Sequence, residues 1–327
     1  MRLKALVAVG LCLLGVSLAG QRGAQAPPTD TVAPEIAGVV AAGTKVQVIK
    51  DGFNGSEGPI ALPDGSVIFS ETTANRTIKI DSAGTVSTFL ENTGGANGMA
   101  FDSKGRLIAT HVPWGQTKVS VIYPKGSEAV LVDNFEGKPF GRANDLTVAK
   151  NGGIYFTDSA NPAPVPPTPL PLPPALYYLP PSGGKVIQIL NDVAFPNGVI
   201  LSRDEKTLYL NNTNGEYLIA FDVRPDGSLA NRRNFAKYQG VTPNAAGVPI
   251  SGADGMAMDG QGRLYIATTI GVQVFSPQGQ HLGTIPLSRS PQNLAFAGPD
   301  KKTLYVVGRG VAFKIQMLAQ GFKDRAK

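Results

Sequence analysis

A repeating unit of two short apolar strands separated by a polar turn is the clearest pattern along the chain. The first strands read GPIAL, GMAF, DLTV, GVIL, GMAM and LAF, and the second read VIFSE, LIATH, IYFTD, LYLNN, LYIAT and LYVVG. Alternation and β-branched residues favour strands over helices. The second strands recur at intervals of 40, 47, 54, 56 and 40 residues, measured between Ile68, Ile108, Tyr155, Tyr209, Tyr265 and Tyr305. Each interval accommodates four strands, which predicts an all-β, six-bladed β-propeller with four-stranded antiparallel blades around a central channel.

The propeller is predicted to span residues 44–318 as a single domain, between an N-terminal tether at 20–43 and a C-terminal tail at 319–327. Thr44–Lys50 reads as a strand that would close the ring on the last blade, beside Val311–Ile315. Closure removes the free sheet edge that an open array would expose. A proline-rich insertion, residues 161–181, follows the second strand of blade three, and we expect it to be either a lid over the channel or a surface spacer.

The N-terminus has the features of a secretory signal peptide. Arg2 and Lys4 precede a 15-residue apolar run, 5–19, and small residues follow it. This pattern predicts a signal peptide at 1–19, with cleavage as late as 26, and export to the periplasm or the medium. Removal of the segment takes away Cys12, the sole cysteine, so disulfides and thiolate chemistry are excluded in the mature protein.

Composition and charge narrow the function classes further. The 39 glycines and 26 prolines suit many strands joined by tight turns. The formal net charge of +6 is spread without a basic stripe, so nucleic-acid binding is not expected. No later segment is long and apolar enough to be a stable membrane span. The expected partner is a small molecule, and we expect a monomer.

One position in each repeat carries an oxygen-bearing polar side chain at the start of the first strand. These six positions are Glu57, Asn97, Asn144, Asn197, Asp254 and Asn293. The first strand of each blade lines the channel of a propeller, so the six side chains should form a ring around its axis. Hard oxygen donors suit Ca²⁺, with Mg²⁺ or Mn²⁺ as alternatives. The competing interpretation is that these residues only cap strand entries through local hydrogen bonds.

Further candidates border the same mouth of the channel, because each second strand returns to that face. Arg142, two residues before Asn144, is a candidate for orienting an anionic or hydroxylated substrate or an oxyanion, or else for a salt bridge with Asp145 or Asp158. His111 is a candidate pocket residue or an exposed loop histidine. Trp114 is a candidate stacking wall for a sugar or a buried loop anchor.

The chain resembles the senescence-marker-protein/gluconolactonase/luciferin-regenerating-enzyme-like family of six-bladed propellers, over roughly residues 45–316. The stretches that carry the resemblance are Ser56-Glu57-Gly58-Pro59, Gly141-Arg142-Ala143-Asn144-Asp145, Pro196-Asn197-Gly198 and Ala253-Asp254-Gly255-Met256. The resemblance implies one divalent cation on the axis, usually Ca²⁺ and sometimes Zn²⁺. It also implies Glu57, Asn197 and Asp254 as metal ligands, Asn144 as a ligand or substrate contact, Arg142 as a substrate-binding residue and Asp254 as general base or nucleophile.

Three functions follow as hypotheses. The first is a metal-dependent hydrolase of lactones, above all sugar lactones such as gluconolactone, in which an activated water attacks the lactone carbonyl. The second keeps the metal site but acts on another ester or on a phosphotriester. The third is a non-catalytic, exported binding propeller in which the metal is structural.

Overall fold

Six antiparallel sheets make up the fold, which a computed structural model describes over residues 26–160 and 172–323. No helix occurs among these residues. The all-β expectation is confirmed, as are the six antiparallel blades, of which five have four strands and the sixth has five.

In the sheets of blades one to five, neighbouring strands follow one another along the chain and form antiparallel hairpins. Blade one comprises Ser56–Ala61, Val67–Glu71, Arg76–Ile80 and Val86–Glu91. Blade two comprises Ala96–Phe101, Leu107–His111, Lys118–Tyr123 and Ala129–Val132. Blade three comprises Ala143–Val148, Ile154–Asp158, Ala175–Leu179 and Ile187–Leu190.

The other three blades repeat this order. Blade four comprises Pro196–Leu201, Thr207–Asn212, Tyr217–Val223 and Leu229–Lys237. Blade five comprises Met256–Met258, Leu264–Thr268, Gly271–Phe275 and His281–Ile285. Blade six comprises Asn293–Ala297, Thr303–Gly308 and Val311–Gln316, to which Lys45–Lys50 and Thr31–Val32 are added. Two short hairpins lie between blades, formed by Asn134–Phe135 with Lys138–Pro139 and by Thr242–Pro243 with Pro249–Ile250.

The first strands of successive blades contact one another in a closed circle, from blade one through blade six and back to blade one. Apolar side chains fill the spaces between neighbouring sheets, where Tyr265 of blade five and Phe296 of blade six, for example, meet edge to face with ring centroids 4.9 Å apart. This inter-blade core holds the six first strands in fixed positions. The polar residues at their N-terminal ends therefore face a common axis.

The ring closes where Lys45–Lys50 pairs with Val311–Gln316, as predicted for the N-terminal strand. Residues 26–43, the described part of the predicted N-terminal tether at 20–43, lie against the propeller before the closing strand. Thr31–Val32 pairs with the closing strand, and Ile36 and Val39 are buried against blades five and six. Sparse apolar residues among Ala, Pro and Thr gave no strand periodicity, although their burial makes the segment part of the propeller. At the other end Ala319, the first residue of the predicted C-terminal tail, is also buried.

Two sequence predictions concern residues outside the described ranges. The signal peptide and its Cys12 lie in residues 1–25, and most of the proline-rich insertion lies in residues 161–171. Export therefore stays a prediction from the sequence, and so does a lid over the channel. Within the two described ranges, no helix has the length and apolar character needed to cross a membrane.

Candidate active site in the central channel

The structure brings the six predicted ring residues together. Asn97 donates from its side-chain amide to both oxygens of Asn144, the backbone carbonyl at 2.9 Å and Oδ1 at 3.0 Å. Asn293 donates to Glu57 Oε2 at 3.3 Å across the junction between blades six and one. The side chains of Glu57, Asn97, Asn144, Asn197 and Asn293 are buried, whereas Asp254 is partly exposed.

Close packing between the blades explains why glycine follows the ring residue in four of them. These glycines are Gly58, Gly98, Gly198 and Gly255. A Cβ atom on Gly198 would lie 2.2 Å from the backbone oxygen of Asp254, and one on Gly255 would lie 2.0 Å from the side chain of Asn293. Each of these four glycines therefore allows the ring residue of the following blade to pack closely against its own blade.

Blades one to four also share an irregularity in the first strand. The pairing register shifts after Glu57, Ala96, Ala143 and Pro196, which places a bulge beside the ring residue in each case. Bulges commonly re-aim a side chain next to a functional site. Here they turn the ring residues out of the regular strand alternation and towards the axis.

Asp145 occupies the position that glycine takes in blades one, two, four and five. Its Oδ1 accepts a hydrogen bond from the backbone N–H of Leu146 at 2.9 Å, and its charge acts on both Glu57 and Asp254. From the sequence, Asp145 is expected only as a possible salt-bridge partner of Arg142. Its place one residue after the ring position was the signal that it belongs to the same cluster.

The two ring carboxyls repel one another in a buried setting. Burial raises the pKa of Glu57, and the charge of Asp145 raises it further, while a hydrogen bond from Asn293 opposes the rise. Burial and the charge of Glu57 raise the pKa of Asp254 well above its usual range. Both carboxyls are thus destabilised as anions unless a positive charge lies between them.

One buried polar atom of the ring, on Asn197, has no hydrogen-bond partner among the described residues. Asn197 donates from Nδ2 to Thr213 Oγ1 at 3.0 Å, but its buried Oδ1 accepts no hydrogen bond. A buried carbonyl oxygen without a donor is costly, and a bound water or ion is one way to satisfy it. Together with Glu57 and Asp254 it supplies the hard oxygen donors that Ca²⁺ or a similar cation prefers.

No group of three or more His, Cys, Asp and Glu side chains in residues 26–160 and 172–323 is arranged to hold a metal ion. A cation in this ring would therefore need carboxamide oxygens beside the two carboxylates. The residues present fit such a cation, because Asn197 Oδ1 is unsatisfied and the neighbouring carboxyls are destabilised as anions.

Two arginines act on the ring from different blades. Arg142 is half-buried, its Nε has no hydrogen-bond partner among the described residues, and its charge lowers the pKa of both Glu57 and Asp254. Asp158 does not pair with the Arg142 guanidinium; instead it accepts the backbone N–H groups of Gly141, Arg142 and Ala160. Arg309, just after the second strand of blade six, is exposed and also lowers the pKa of Asp254.

His111 and Trp114 lie outside this cluster of interactions. His111 is buried, with Nδ1 3.0 Å from the Gly94 carbonyl and Nε2 2.7 Å from Ser120 Oγ. Both ring nitrogens are therefore occupied within the protein, which leaves neither for a substrate and does not match an exposed loop histidine. Trp114 is half-buried in the loop that follows, and no described contact joins it to the ring.

Comparison with known proteins places the chain in a family. Residues 55–309 match the model of the SMP-30/gluconolactonase/LRE-like region, so the chain belongs to that family. A gluconolactonase from Zymomonas mobilis is 30% identical over 282 residues, which cover 77% of this chain and 75% of that protein. A gluconolactonase structure from Xanthomonas campestris matches with a TM-score of 0.74 at 27% identity, over 90% of this chain and 96% of that one.

A third match extends the likeness of fold only. The calcium-binding protein regucalcin from Agrobacterium tumefaciens superposes with a TM-score of 0.69 at 17% identity, over 85% of this chain and 96% of that one. The family that the sequence motifs indicated is therefore confirmed by the match over residues 55–309.

Proposed function

We propose that this protein is a divalent-metal-dependent hydrolase of lactones, with aldonolactones such as gluconolactone as its substrates. The relationship to the Zymomonas mobilis gluconolactonase supports the reaction class. The observation that carries the proposal is the ring itself, where two carboxyls that repel each other lie with an unsatisfied carboxamide oxygen on Asn197 and an unsatisfied guanidinium nitrogen on Arg142.

Glu57, Asn197 and Asp254 would hold the cation, with Asn144 as a further oxygen donor. Ca²⁺ is the preferred candidate for an all-oxygen set, and Zn²⁺, Mg²⁺ and Mn²⁺ are the alternatives. When bound, such a cation polarises a carbonyl oxygen and lowers the pKa of a nearby water. It also neutralises the repulsion between the ring carboxyls.

Arg142 and Asn144 are the groups that would orient the substrate. Asn144 Oδ1 accepts from Asn97, so its amide N–H₂ group points away from Asn97 and donates to no described residue. The guanidinium of Arg142 acts on both ring carboxyls through its charge, and its Nε has no hydrogen-bond partner among the described residues. Donors of this kind bind the hydroxyl groups of a sugar lactone and stabilise negative charge that develops on its carbonyl oxygen.

Asp254 is the candidate general base. Its carboxylate accepts no hydrogen bond from a described side chain, and it is the ring residue with partial exposure to the channel. One of its oxygens would accept a proton from the water that adds to the lactone carbonyl. Cleavage of the C–O bond within the lactone then yields the open hydroxy acid, and the oxygen that leaves the carbonyl carbon takes up a proton.

The test is hydrolysis of glucono-, galactono- and xylonolactone by the wild-type protein and by Asp254→Asn. We expect the wild type to turn over at least one lactone and the variant to lose a factor of about 10²–10⁴ in kcat, the usual contribution of a positioned base. Asp102→Asn is the matched control: Asp102 accepts three hydrogen bonds in a turn of blade two, at the far end of its first strand from Asn97.

Two other outcomes would support a different function for this protein. Turnover of aryl esters or phosphotriesters with no turnover of lactones would support the second hypothesis, in which the same site acts on another substrate. Binding of lactones without turnover of any substrate would support a binding propeller with a structural cation.

A further inference from the structure

Gln292, at the start of blade six, connects the ring residue Glu57 to Arg309, which follows the second strand of that blade. Its Nε2 donates to Glu57 Oε1 at 2.9 Å, and its Oε1 accepts the backbone N–H of Arg309 at 2.7 Å. The side chain is half-buried and lies directly before the ring residue Asn293. None of the sequence motifs included it.

The backbone of Gln292 is held as firmly as its side chain. Its N–H donates to the carbonyl of Val307 in its own blade at 2.8 Å, and its carbonyl accepts the N–H of Gly255 in blade five at 2.8 Å. A Cβ atom on Gly308 would lie 2.4 Å from the Gln292 nitrogen, so the second strand passes close against it. All four kinds of polar group on this residue are therefore used.

These contacts fix which way the amide group faces. A backbone N–H can only donate, so the atom that meets Arg309 N must be the amide oxygen. The amide N–H₂ group must then face Glu57. The orientation thus follows from the hydrogen-bond partners and makes Gln292 an obligatory donor to the Glu57 carboxylate.

The hydrogen bond from Gln292 makes the two oxygens of Glu57 unequal in their partners. Oε1 receives the short bond from Gln292, whereas Oε2 receives only two contacts of 3.3 Å, from Asn293 Nδ2 and from its neighbour Gly58 N. The oxygen with the weaker partners is the one free to bind a cation. Partners of this kind fix the orientation of a ligand and raise affinity for the metal.

We propose that Gln292 is a positioning residue that orients the Glu57 carboxylate for a divalent cation, and that it links this ligand to the backbone of Arg309. This inference rests on the proposed metal-dependent function. Gln292 is expected to act through Glu57 and to have no contact with the reacting atoms.

The test compares cation binding to purified wild type, Gln292→Met and Gln292→Asn by calorimetric titration of the chelator-treated proteins with CaCl₂ and then ZnCl₂, MgCl₂ and MnCl₂. Methionine keeps the length without either hydrogen bond, and asparagine keeps the amide but is one methylene too short to span both partners. We expect affinity to fall by about 10- to 100-fold in both variants. We also expect kcat at saturating cation to fall less than the affinity does.

Gln273→Met is the matched control. Gln273 is a buried glutamine whose amide also bridges several partners, with Nε2 donating to Gln239 O and Thr268 Oγ1 and Oε1 accepting Gln239 N. Its loss should lower thermal stability without changing cation affinity. Folded Gln292 variants that bind the cation as tightly as the wild type, or an equal loss in Gln273→Met, would overturn the inference. A wild type that hydrolyses lactones while binding none of the four cations overturns the metal centre and this inference, but not the lactonase activity.

Discussion

The hydroxyl of Thr157 donates a 2.8 Å hydrogen bond to the backbone carbonyl of Asn197, across the boundary between blades three and four. The equivalent residue of the second strand makes the same link from three other blades. The pairs are Ser70 with the carbonyl of Asn97, Thr110 with that of Asn144, and Asn211 with that of Asp254. Blades five and six have Ala267 and Val307 at this position. Four of the six ring residues are thus held by a side chain of the preceding blade.

Thr157→Val should weaken this link while keeping the side-chain shape. The change leaves the buried carbonyl of Asn197 and the N–H of Asp145, which donates to Thr157 Oγ1 at 3.1 Å, without their partner. We expect a loss of about 1–3 kcal/mol in the free energy of unfolding, because each such group carries its full desolvation cost. Urea unfolding measures this loss, and calorimetric cation titration should show weaker binding as well.

Thr77→Val is the control for that experiment. Thr77 is buried in blade one and accepts the backbone N–H of Leu90 at 3.1 Å, away from the ring. It should lose stability but keep the cation affinity of the wild type. Equal cation binding by Thr157→Val and the wild type would show that the inter-blade link does not position Asn197.

Gly198→Ala should disturb the ring through backbone contact. The added Cβ would lie 2.2 Å from the carbonyl oxygen of Asp254, which cannot move without displacing the candidate base. Overpacking of this kind usually costs about 1–3 kcal/mol of stability. We also expect at least a tenfold fall in kcat/KM for the best lactone. Gly260→Ala, whose Cβ would meet only Gln320 O at 3.3 Å in a turn, should change kcat/KM little.

His111 should make stability depend on pH. Burial lowers its pKa from 6.5 to about 4, so the unfolded chain binds a proton more readily in this interval. The neutral imidazole therefore stabilises the fold fully above pH 6.5, and that stability is lost as pH falls towards 4. The expected loss is about 2 kcal/mol between pH 7 and pH 5.

Urea unfolding at these two pH values tests the effect in three proteins. His111→Gln should remove most of the difference in the free energy of unfolding between pH 7 and pH 5. The substitution should also lower stability by a similar amount at both pH values. His281→Gln should retain most of the pH difference, because His281 is exposed in an outer strand. The same pH difference in His111→Gln and the wild type would assign it to other groups.

The sequence predicted the blades and the ring because each repeat carries the same pattern at the same register. It could not predict residues that only one blade has. Gln292 acts through a bond to Glu57, 235 positions away, and only the closure of the ring brings the two together. The burial of Ile36 and Val39 is hidden for a related reason: the apolar residues of their segment are too few to show a period, and only the fold brings them against blades five and six.

The burial of His111 could not be predicted from the sequence pattern either. The loop after a second strand was expected to border the channel, but His111 still belongs to the strand and its side chain bonds to Gly94 and Ser120 instead. A single sequence gives the position of a residue along a strand more reliably than the neighbour its side chain meets.

Metal-dependent lactone hydrolysis is best tested with the chelator-treated protein, to which Ca²⁺, Zn²⁺, Mg²⁺ and Mn²⁺ are restored one at a time. Thermal unfolding of the same samples reports binding independently of turnover, since a cation at 100 times its Kd adds about 2.7 kcal/mol of stability. We expect no turnover in the stripped wild type, recovery with at least one cation, and loss of both recovery and stabilisation in Glu57→Gln. Full lactone turnover by the stripped protein, or recovery in Glu57→Gln equal to that of the wild type, would contradict it.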